Sequence, residues 1–183
     1  MEEQTSSGGS SGPESSQARI FRVPGPLEPA QLAWTWATKQ LKEASNFWIA
    51  TTRPDGRPHC RPVWGVWLDE TFYFNTVSQA VHNLLTNPAI TVHLESGSQV
   101  VILEGEAERV SDPQLVQRLV HLFSQKYCGI MEPNWVSEPF HAVRPHLAFG
   151  WLADASGCDG GAYFQGTATC WRFRESEAGK EEQ

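Results

Sequence analysis

Residues 54–67 read PDGRPHCRPVWGVW, and residues 72–76 read FYFNT. The first stretch opens with the turn signal Pro-Asp-Gly and continues as an extended apolar run from Pro58 to Leu68. The second belongs to a run from Thr71 to Thr76 that alternates aromatic and small residues, a pattern typical of a strand. Because the β-type run Phe47 to Thr52 precedes the turn, we predict three consecutive antiparallel strands.

Further elements are predicted after these strands. Ser78 is a good N-cap for a short helix ending at the Asn87-Pro88 pair, because its hydroxyl accepts from helix N–H groups and a residue before proline avoids the helical conformation. The Asp112-Pro113 pair offers a similar start for a helix to about Tyr127. The remaining predictions are a helix over Pro29 to Ala44, a hairpin of Ala89 to Glu95 and Gln99 to Val110 with a bulge at Gly105, strands over Ala142 to Leu152 and Thr167 to Arg174, and a turn or mobile loop over Ser156 to Gly166.

These elements predict a mainly β protein of the α+β type, a split β-barrel of six to seven mostly antiparallel strands with three short helices. The barrel domain is expected to cover residues 18–174. Residues 1–17, which are acidic and Ser/Gly-rich, and residues 175–183 have too few apolar side chains to offset the entropy of ordering. Both are therefore predicted to be disordered tails.

Charge and hydropathy exclude several classes of partner. The chain has 183 residues and a formal net charge of -7, with 14 Lys+Arg against 21 Asp+Glu, so a nucleic-acid partner is not expected. Its apolar runs are far shorter than the roughly 20 residues that a membrane-spanning helix needs, and its N-terminus lacks the pattern of a secretory signal. We therefore expect no membrane partner and a cytoplasmic location.

The common catalytic motifs are absent. The sequence contains no GxGxxG, GxxxxGK[ST], GxSxG or HExxH pattern, which argues against the corresponding dinucleotide, P-loop, serine-hydrolase and zincin sites. Six histidines are spread singly, and the one pair considered able to face each other across strands is His59 with His93. No metal site is expected.

The order of the predicted parts resembles one family. The hairpin is followed by the strand FYFNT, the helix SQAVHNLLTNP (78–88), and the strands AITVHLE (89–95) and VVILEGEAERV (100–110). This order is similar to that of the pyridoxamine 5'-phosphate oxidase-like family of split β-barrels, and the likeness covers about Phe47 to Asp112. Residues 143–145 and 169–173 resemble the C-terminal strands of actinobacterial-type members.

The resemblance implies a flavin site shared across a homodimer interface. In that family the ring lies on the second and third barrel strands, and the phosphate lies near the helix after the third strand. Strand backbones suit the pyrimidine edge of the ring, while a hydroxyl and helix N-terminal amides suit a phosphate. The matching positions are Arg61, Pro62, Val63, Trp64, Asn75, Thr76 and Ser78. A solvated or salt-bridged surface arginine is the other interpretation of Arg61.

One departure from the family pattern concerns the phosphate. Members that hold flavin phosphate usually carry a basic pair directly after the serine, and here those positions are Gln79 and Ala80. Losing a charge-assisted hydrogen bond of roughly 1.5–3 kcal/mol weakens binding by roughly 10- to 100-fold. His82, one helical turn beyond Ser78, is the local candidate to compensate, and it would do so only when protonated.

Trp171 and Phe173 admit two interpretations, since they either cover the flavin from the partner subunit or fill the end of the barrel. The predicted function is that of an oxidoreductase using FMN or the deazaflavin coenzyme F420 on a small organic substrate. No catalytic residue is assigned, because the cofactor carries the hydride. Oxidation of pyridoxamine phosphate itself is less expected, since few basic residues are available for a second phosphate. The alternative is a non-catalytic barrel for binding or sensing that has lost tight cofactor binding.

Overall fold

The computed structural model describes residues 12–17, 30–128, 139–159 and 161–174. Its strands are β1 (Glu14–Gln17), β2 (Asn46–Thr52), β3 (Pro58–Leu68), β4 (Thr71–Phe74), β5 (Ala89–Leu94), β6 (Gln99–Arg109), β7 (His141–Leu152) and β8 (Thr169–Arg172). Its helices are α1 (Trp34–Glu43), α2 (Gln79–Thr86), α3 (Pro113–Lys126) and α4 (Ala162–Thr167).

Six strands close into an antiparallel barrel, which confirms the predicted fold class. Strands β4, β3, β2, β5 and β6 are successive neighbours, and β7 closes the ring by pairing with both β4 and β6. Strand β8 extends the sheet beyond β7, and β1 extends it beyond β8. The predicted hairpins β2–β3 and β5–β6 are both present.

The barrel interior holds the larger of two main apolar clusters. Because successive side chains of a strand point to opposite faces, Phe47, Ile49 and Val63 point inward. Helices α1 and α2 pack on this cluster through their buried residues Ala37, Leu41, Ala80 and Leu84. The second cluster lies between α3 and the outer faces of β3, β4 and β7, and it includes Val66, Tyr73, Leu119, Phe123 and Ala142.

The bulge predicted at Gly105 is confirmed. The register between β6 and β7 shifts between Glu104 and Gly105, so that Gly105 lies opposite Pro145. A Cβ at position 105 would approach the Arg144 carbonyl oxygen at 2.5 Å, closer than side-chain carbons come to backbone oxygens. The bulge therefore requires glycine at this position.

Helix α1 begins later than the predicted Pro29. Ala30 and Leu32 lie outside the helix, and their N–H groups bond elsewhere, since Ala30 N donates to Gly166 O at 2.8 Å and Leu32 N donates to Thr169 Oγ1 at 2.9 Å. The N-cap residue Ala33 is extended, so the helix begins only at Trp34.

Other elements also differ from the predictions. Strand β4 ends at Phe74 rather than Thr76, and β8 begins at Thr169 because α4 occupies the second half of the expected loop over 156–166. Within the tail predicted as disordered over 1–17, residues Glu14–Gln17 form β1 on the edge of β8, so the prediction is wrong for these four residues. The predicted tail over 175–183 lies outside the described residues. None of the described helices is long and apolar enough to span a bilayer.

Candidate functional site

A groove of about 400 Å³ opens beside β3, between this strand and the segment that follows β4. Six of the ten cofactor positions expected from the sequence line it together. The lining residues are Asn46, Arg61, Pro62, Val63, Trp64, Asn75, Thr76 and Val77. The structure therefore brings together two stretches that lie about ten residues apart in the sequence.

The groove forms because β3 pairs with different strands along its length. Residues 58–64 pair with β2, and residues from Gly65 onward pair with β4. A side chain at position 65 would overlap the Phe72 ring, so glycine leaves room for that ring against β3. Strand β4 then ends, and Asn75 Nδ2 donates to Pro139 O at 3.2 Å, which holds the chain beside β3 before α2 begins.

Arg61 supplies the positive charge of the groove. Its side chain is half-buried, and its Nε donates to the Pro62 carbonyl oxygen at 3.3 Å. Among the described residues, no carboxylate lies within 4.0 Å of its guanidinium. The salt-bridged interpretation of Arg61 thus has no support in this part of the chain, and the guanidinium can bind an anion.

Trp64 forms an aromatic wall that is 41% exposed. One face of its indole stacks on Tyr127, with ring centroids 4.9 Å apart and an interplanar angle of 13°. The Tyr127 hydroxyl accepts from Gly65 N at 2.9 Å and lies 2.7 Å from Ser45 O and 2.8 Å from Gly65 O. Burial raises the pKa of Tyr127 to about 12, so the hydroxyl stays protonated and the wall is held from behind.

Lys126 completes this support. Its Nζ donates to Gly65 O at 2.9 Å and lies 5.1 Å from the centroid of the Phe47 ring. Burial lowers the pKa of Lys126 to about 8. The last turn of α3 therefore caps the β2–β3 ladder where it ends, next to the groove.

The start of α2 borders the groove and carries no charge. Ser78 is the N-cap as predicted, accepting from Ala80 N at 3.2 Å, and Thr76 Oγ1 donates to Ser78 Oγ at 3.0 Å. The Gln79 side chain bonds Asn83 Oδ1 at 3.2 Å. The uncharged pair Gln79-Ala80 thus leaves the helix dipole, Ser78 and Arg61 as the features that attract an anion here.

Two expected cofactor positions lie away from the groove lining. His82 is exposed on α2, and its role in binding stays a prediction. Trp171 is fully buried in the barrel cluster, 5.3 Å from the Trp34 ring between centroids. Trp171 therefore fills the barrel in this structure, which favours the second of its two interpretations, and a role at the cofactor stays a prediction.

The sequence reasoning missed several residues of this region. Asn46 and Val77 line the groove, while Lys126 and Tyr127 support it from behind. The register of the β2–β3 hairpin would have found Asn46, because it lies opposite Trp64. No local signal marked the other three.

The two histidines considered as a pair lie on opposite faces. The His93 ring stacks parallel to Trp48 on the outside, whereas His59 lies opposite Thr51 on the inner side. In the described part of the chain, no group of three His, Cys, Asp or Glu residues is placed to hold a metal ion.

Known proteins similar to this chain share its barrel. The family model described as pyridoxamine 5'-phosphate oxidase matches residues 37–153. A pyridoxine/pyridoxamine 5'-phosphate oxidase of Azotobacter vinelandii is 31% identical over 140 residues, which cover 70% of this chain and 63% of the relative. The chain thus spans less than two thirds of that relative's length.

Solved structures give the same picture of the fold. A conserved hypothetical protein of Mycobacterium tuberculosis superposes with a TM-score of 0.60 and 19% identity, covering 72% of this chain and 90% of its own. A heme storage protein of Vibrio cholerae superposes with a TM-score of 0.54 and 14% identity, covering 66% of this chain and 94% of its own.

Proposed function

The chain belongs to the pyridoxamine 5'-phosphate oxidase family, and from that premise we propose that it is an oxidoreductase using FMN or a deazaflavin on a small organic substrate. The observation that carries the proposal is the groove in which Arg61, Trp64 and Thr76 meet beside the N-terminus of α2. The proposal gives this groove the role of the cofactor site.

The groove fits a flavin in size and chemistry. Its volume of about 400 Å³ falls within the roughly 300–1,000 Å³ of typical small-molecule sites. An exposed indole offers a flat apolar surface for a ring, and an arginine without a carboxylate partner lies near a capped helix N-terminus for a phosphate. When bound, the flavin supplies hydride or electron-pair transfer, while the protein binds and orients the reactants.

We further propose that the protein acts as a homodimer. The groove is open, and apolar side chains remain exposed on its rim and on α2, with Trp64 41% exposed, Val77 75% and Leu85 80%. A second copy laid over this face would cover these side chains and complete the walls of the site. Light scattering at micromolar concentration should show a dimer, and a monomer would remove the shared site.

Pyridoxamine phosphate is a less suitable substrate than a small molecule without a phosphate. Among the described residues that line the groove, Arg61 is the one cation, and the cofactor's phosphate would occupy it. We therefore expect negligible turnover of pyridoxamine phosphate. Conversion of pyridoxamine phosphate at an ordinary enzymatic rate would contradict this assignment.

Equilibrium titration of the cofactor-stripped protein with FMN, with the deazaflavin coenzyme and with heme tests the proposal. We expect one of the first two to bind with a changed absorption spectrum, and binding to weaken in Arg61→Gln. Heme serves as the comparison ligand, because one structural relative is described as a heme storage protein.

A non-catalytic binding module is the second candidate. The observation that favours it is the uncharged first turn of α2, in which Gln79 bonds Asn83 instead of reaching outward. Flavin and deazaflavin dissociation constants both above about 100 μM, equivalent to only about -5.5 kcal/mol, would favour this module over the enzyme.

A further inference from the structure

The turn between β2 and β3 concentrates positive charge at one end of the groove. Residues 53–61 contain three arginines and one histidine, in a chain whose net charge is -7. Arg57 is neutralised by Asp55, with 2.7 Å between Nη2 and Oδ2. In contrast, no carboxylate among the described residues lies within 4.0 Å of Arg53 or Arg61. These two guanidinium groups, one in the turn and one on β3, carry charges of the same sign with no carboxylate partner in the described part of the chain, and an external anion would relieve their repulsion.

His59 lies between these two arginines in the sequence, on the same face of β3 as Arg61. Residues 59, 61 and 63 of β3 lie on the same face, because His59 pairs with Thr51 and Arg61 pairs with Ile49 in the β2–β3 register. Arg61 and residue 63 line the groove, so His59 continues the same surface toward the turn. Arg53 N donates to Arg57 O at 2.9 Å, so Arg53 lies at the start of the turn that leads into β3. Burial lowers the pKa of His59, and the charges of Arg53 and Arg61 lower it further.

A buried polar network fixes the His59 ring. Asn83 is fully buried and donates through Nδ2 to Thr51 Oγ1 at 2.9 Å, and Thr51 Oγ1 lies 3.4 Å from His59 Nδ1. The Thr51 hydroxyl proton is then available to His59 Nδ1, which favours the tautomer that donates from Nε2. Gln79 bonds the same asparagine, so the network also joins His59 to the first turn of α2.

We propose that Arg53 and His59 form an anion subsite beyond Arg61, so that the natural ligand of the groove carries a second anionic group on its tail. This inference rests on the proposed function and narrows the choice of cofactor. It favours a flavin or deazaflavin whose tail holds a diphosphate, or a phosphodiester followed by carboxylates, over FMN with its single phosphate. The cations that the start of α2 lacks are supplied from the neighbouring hairpin.

Fluorescence titration of the wild type and three variants with FMN, FAD and the deazaflavin coenzyme tests the subsite. Arg53→Gln and His59→Ala should each weaken the two-anion ligands, the arginine variant by about 10-fold, and leave FMN binding unchanged. Arg57→Gln is the matched control, since it removes a charge from the same turn that Asp55 already neutralises. Equal losses for FMN and the two-anion ligands, or no loss for any, would overturn the proposal.

A ring-free probe separates this inference from the proposed function. If the wild type binds no flavin, calorimetric titration with pyrophosphate and with phosphate at low salt decides the matter. Tighter binding of pyrophosphate that is lost in Arg53→Gln would retain the anion subsite while the flavin role fails. Identical pyrophosphate binding by the wild type and Arg53→Gln would overturn the subsite.

The pH dependence of FAD binding tests the part played by His59. The bridging phosphates of FAD keep their charge between about pH 7 and about pH 5, as do Arg53 and Arg61, whereas His59 gains a proton. Thr51 and Asn83, which face the ring from β2 and α2, do not titrate. Binding should tighten as the pH falls, and this trend should vanish in His59→Ala but persist in His82→Gln. The opposite pattern would remove His59 from the subsite and assign the effect to His82.

Discussion

The two halves of strand β3 differ in how far their polar groups are satisfied within the protein. In the second half, the Gly65 N–H donates to the Tyr127 hydroxyl, and its carbonyl oxygen accepts from Lys126 Nζ. In the first half, Arg61 has no carboxylate partner among the described residues, and Trp64 is 41% exposed. One strand thus stabilises the barrel at one end and presents unpaired groups to a ligand at the other.

Two tryptophans on this strand give the sharpest test of the difference. Trp67 is 6% exposed in the barrel cluster, with its ring 6.0 Å from Trp34 between centroids, and Trp67→Ala should lower the free energy of unfolding by about 3–5 kcal/mol. Trp64→Ala should cost about 1 kcal/mol or less, because it removes one stacking contact at a partly exposed site. Urea unfolding of both variants measures the contrast, and equal losses would contradict the division of the strand.

The elements that could be predicted are those determined by sequence patterns of a few residues. Alternating side chains and turn residues gave the bounds of β3 without error and those of β2 and β5 to one residue, because period-2 patterns and the Pro-Asp-Gly turn act over a few residues. The start of α1 and the strand β1 were not predictable in this way. Both depend on hydrogen bonds to residues 166–172, which are more than 130 positions away.

The same distinction explains the site. Residues of β3 and of the segment after β4 were predicted because short motifs carried the family resemblance, and the structure brings them to one groove. Trp171 could not be assigned from sequence, because its burial depends on Trp34 crossing above it and on Gly150, where a Cβ would approach the Trp171 ring at 2.7 Å. The support from Tyr127 depends on where α3 docks, which no local pattern reveals.

Tyr127→Phe would weaken the satisfied half of the strand while keeping the aromatic ring. The variant leaves the buried Gly65 N–H without its acceptor and removes the hydroxyl donor to the Ser45 and Gly65 carbonyls. We expect a loss of about 1–3 kcal/mol in the free energy of unfolding. Tyr163→Phe is the control, because Tyr163 is 54% exposed and should change stability by less than about 0.5 kcal/mol. If both variants unfold at the same urea concentration, the bridging role of Tyr127 is refuted.

The pH dependence of the free energy of unfolding should show that burying the Lys126 ammonium group destabilises the fold. Its pKa is lowered to about 8 in the folded protein from the ordinary value of 10.5, so between these values the unfolded chain binds more protons than the folded one. Stability therefore rises with pH across this window as the buried charge is lost. The urea midpoint of the wild type minus that of Lys126→Met should increase as the pH is raised from about 7 to about 10. A difference that stays constant or declines with pH would show that the ammonium is not penalised by burial.

Arg61→Gln should have the smallest effect on stability, because the open half of β3 contributes little to folding. Its guanidinium makes one hydrogen bond, to the Pro62 carbonyl oxygen at 3.3 Å, so the free energy of unfolding should change by less than about 0.5 kcal/mol. If the groove holds a flavin phosphate through this group, the same variant should weaken FMN binding by about 10- to 100-fold. Arg57→Gln, whose charge Asp55 already neutralises, should leave both quantities unchanged. A large loss of stability in Arg61→Gln would make Arg61 a structural residue, and the two halves of the strand would then no longer differ in kind.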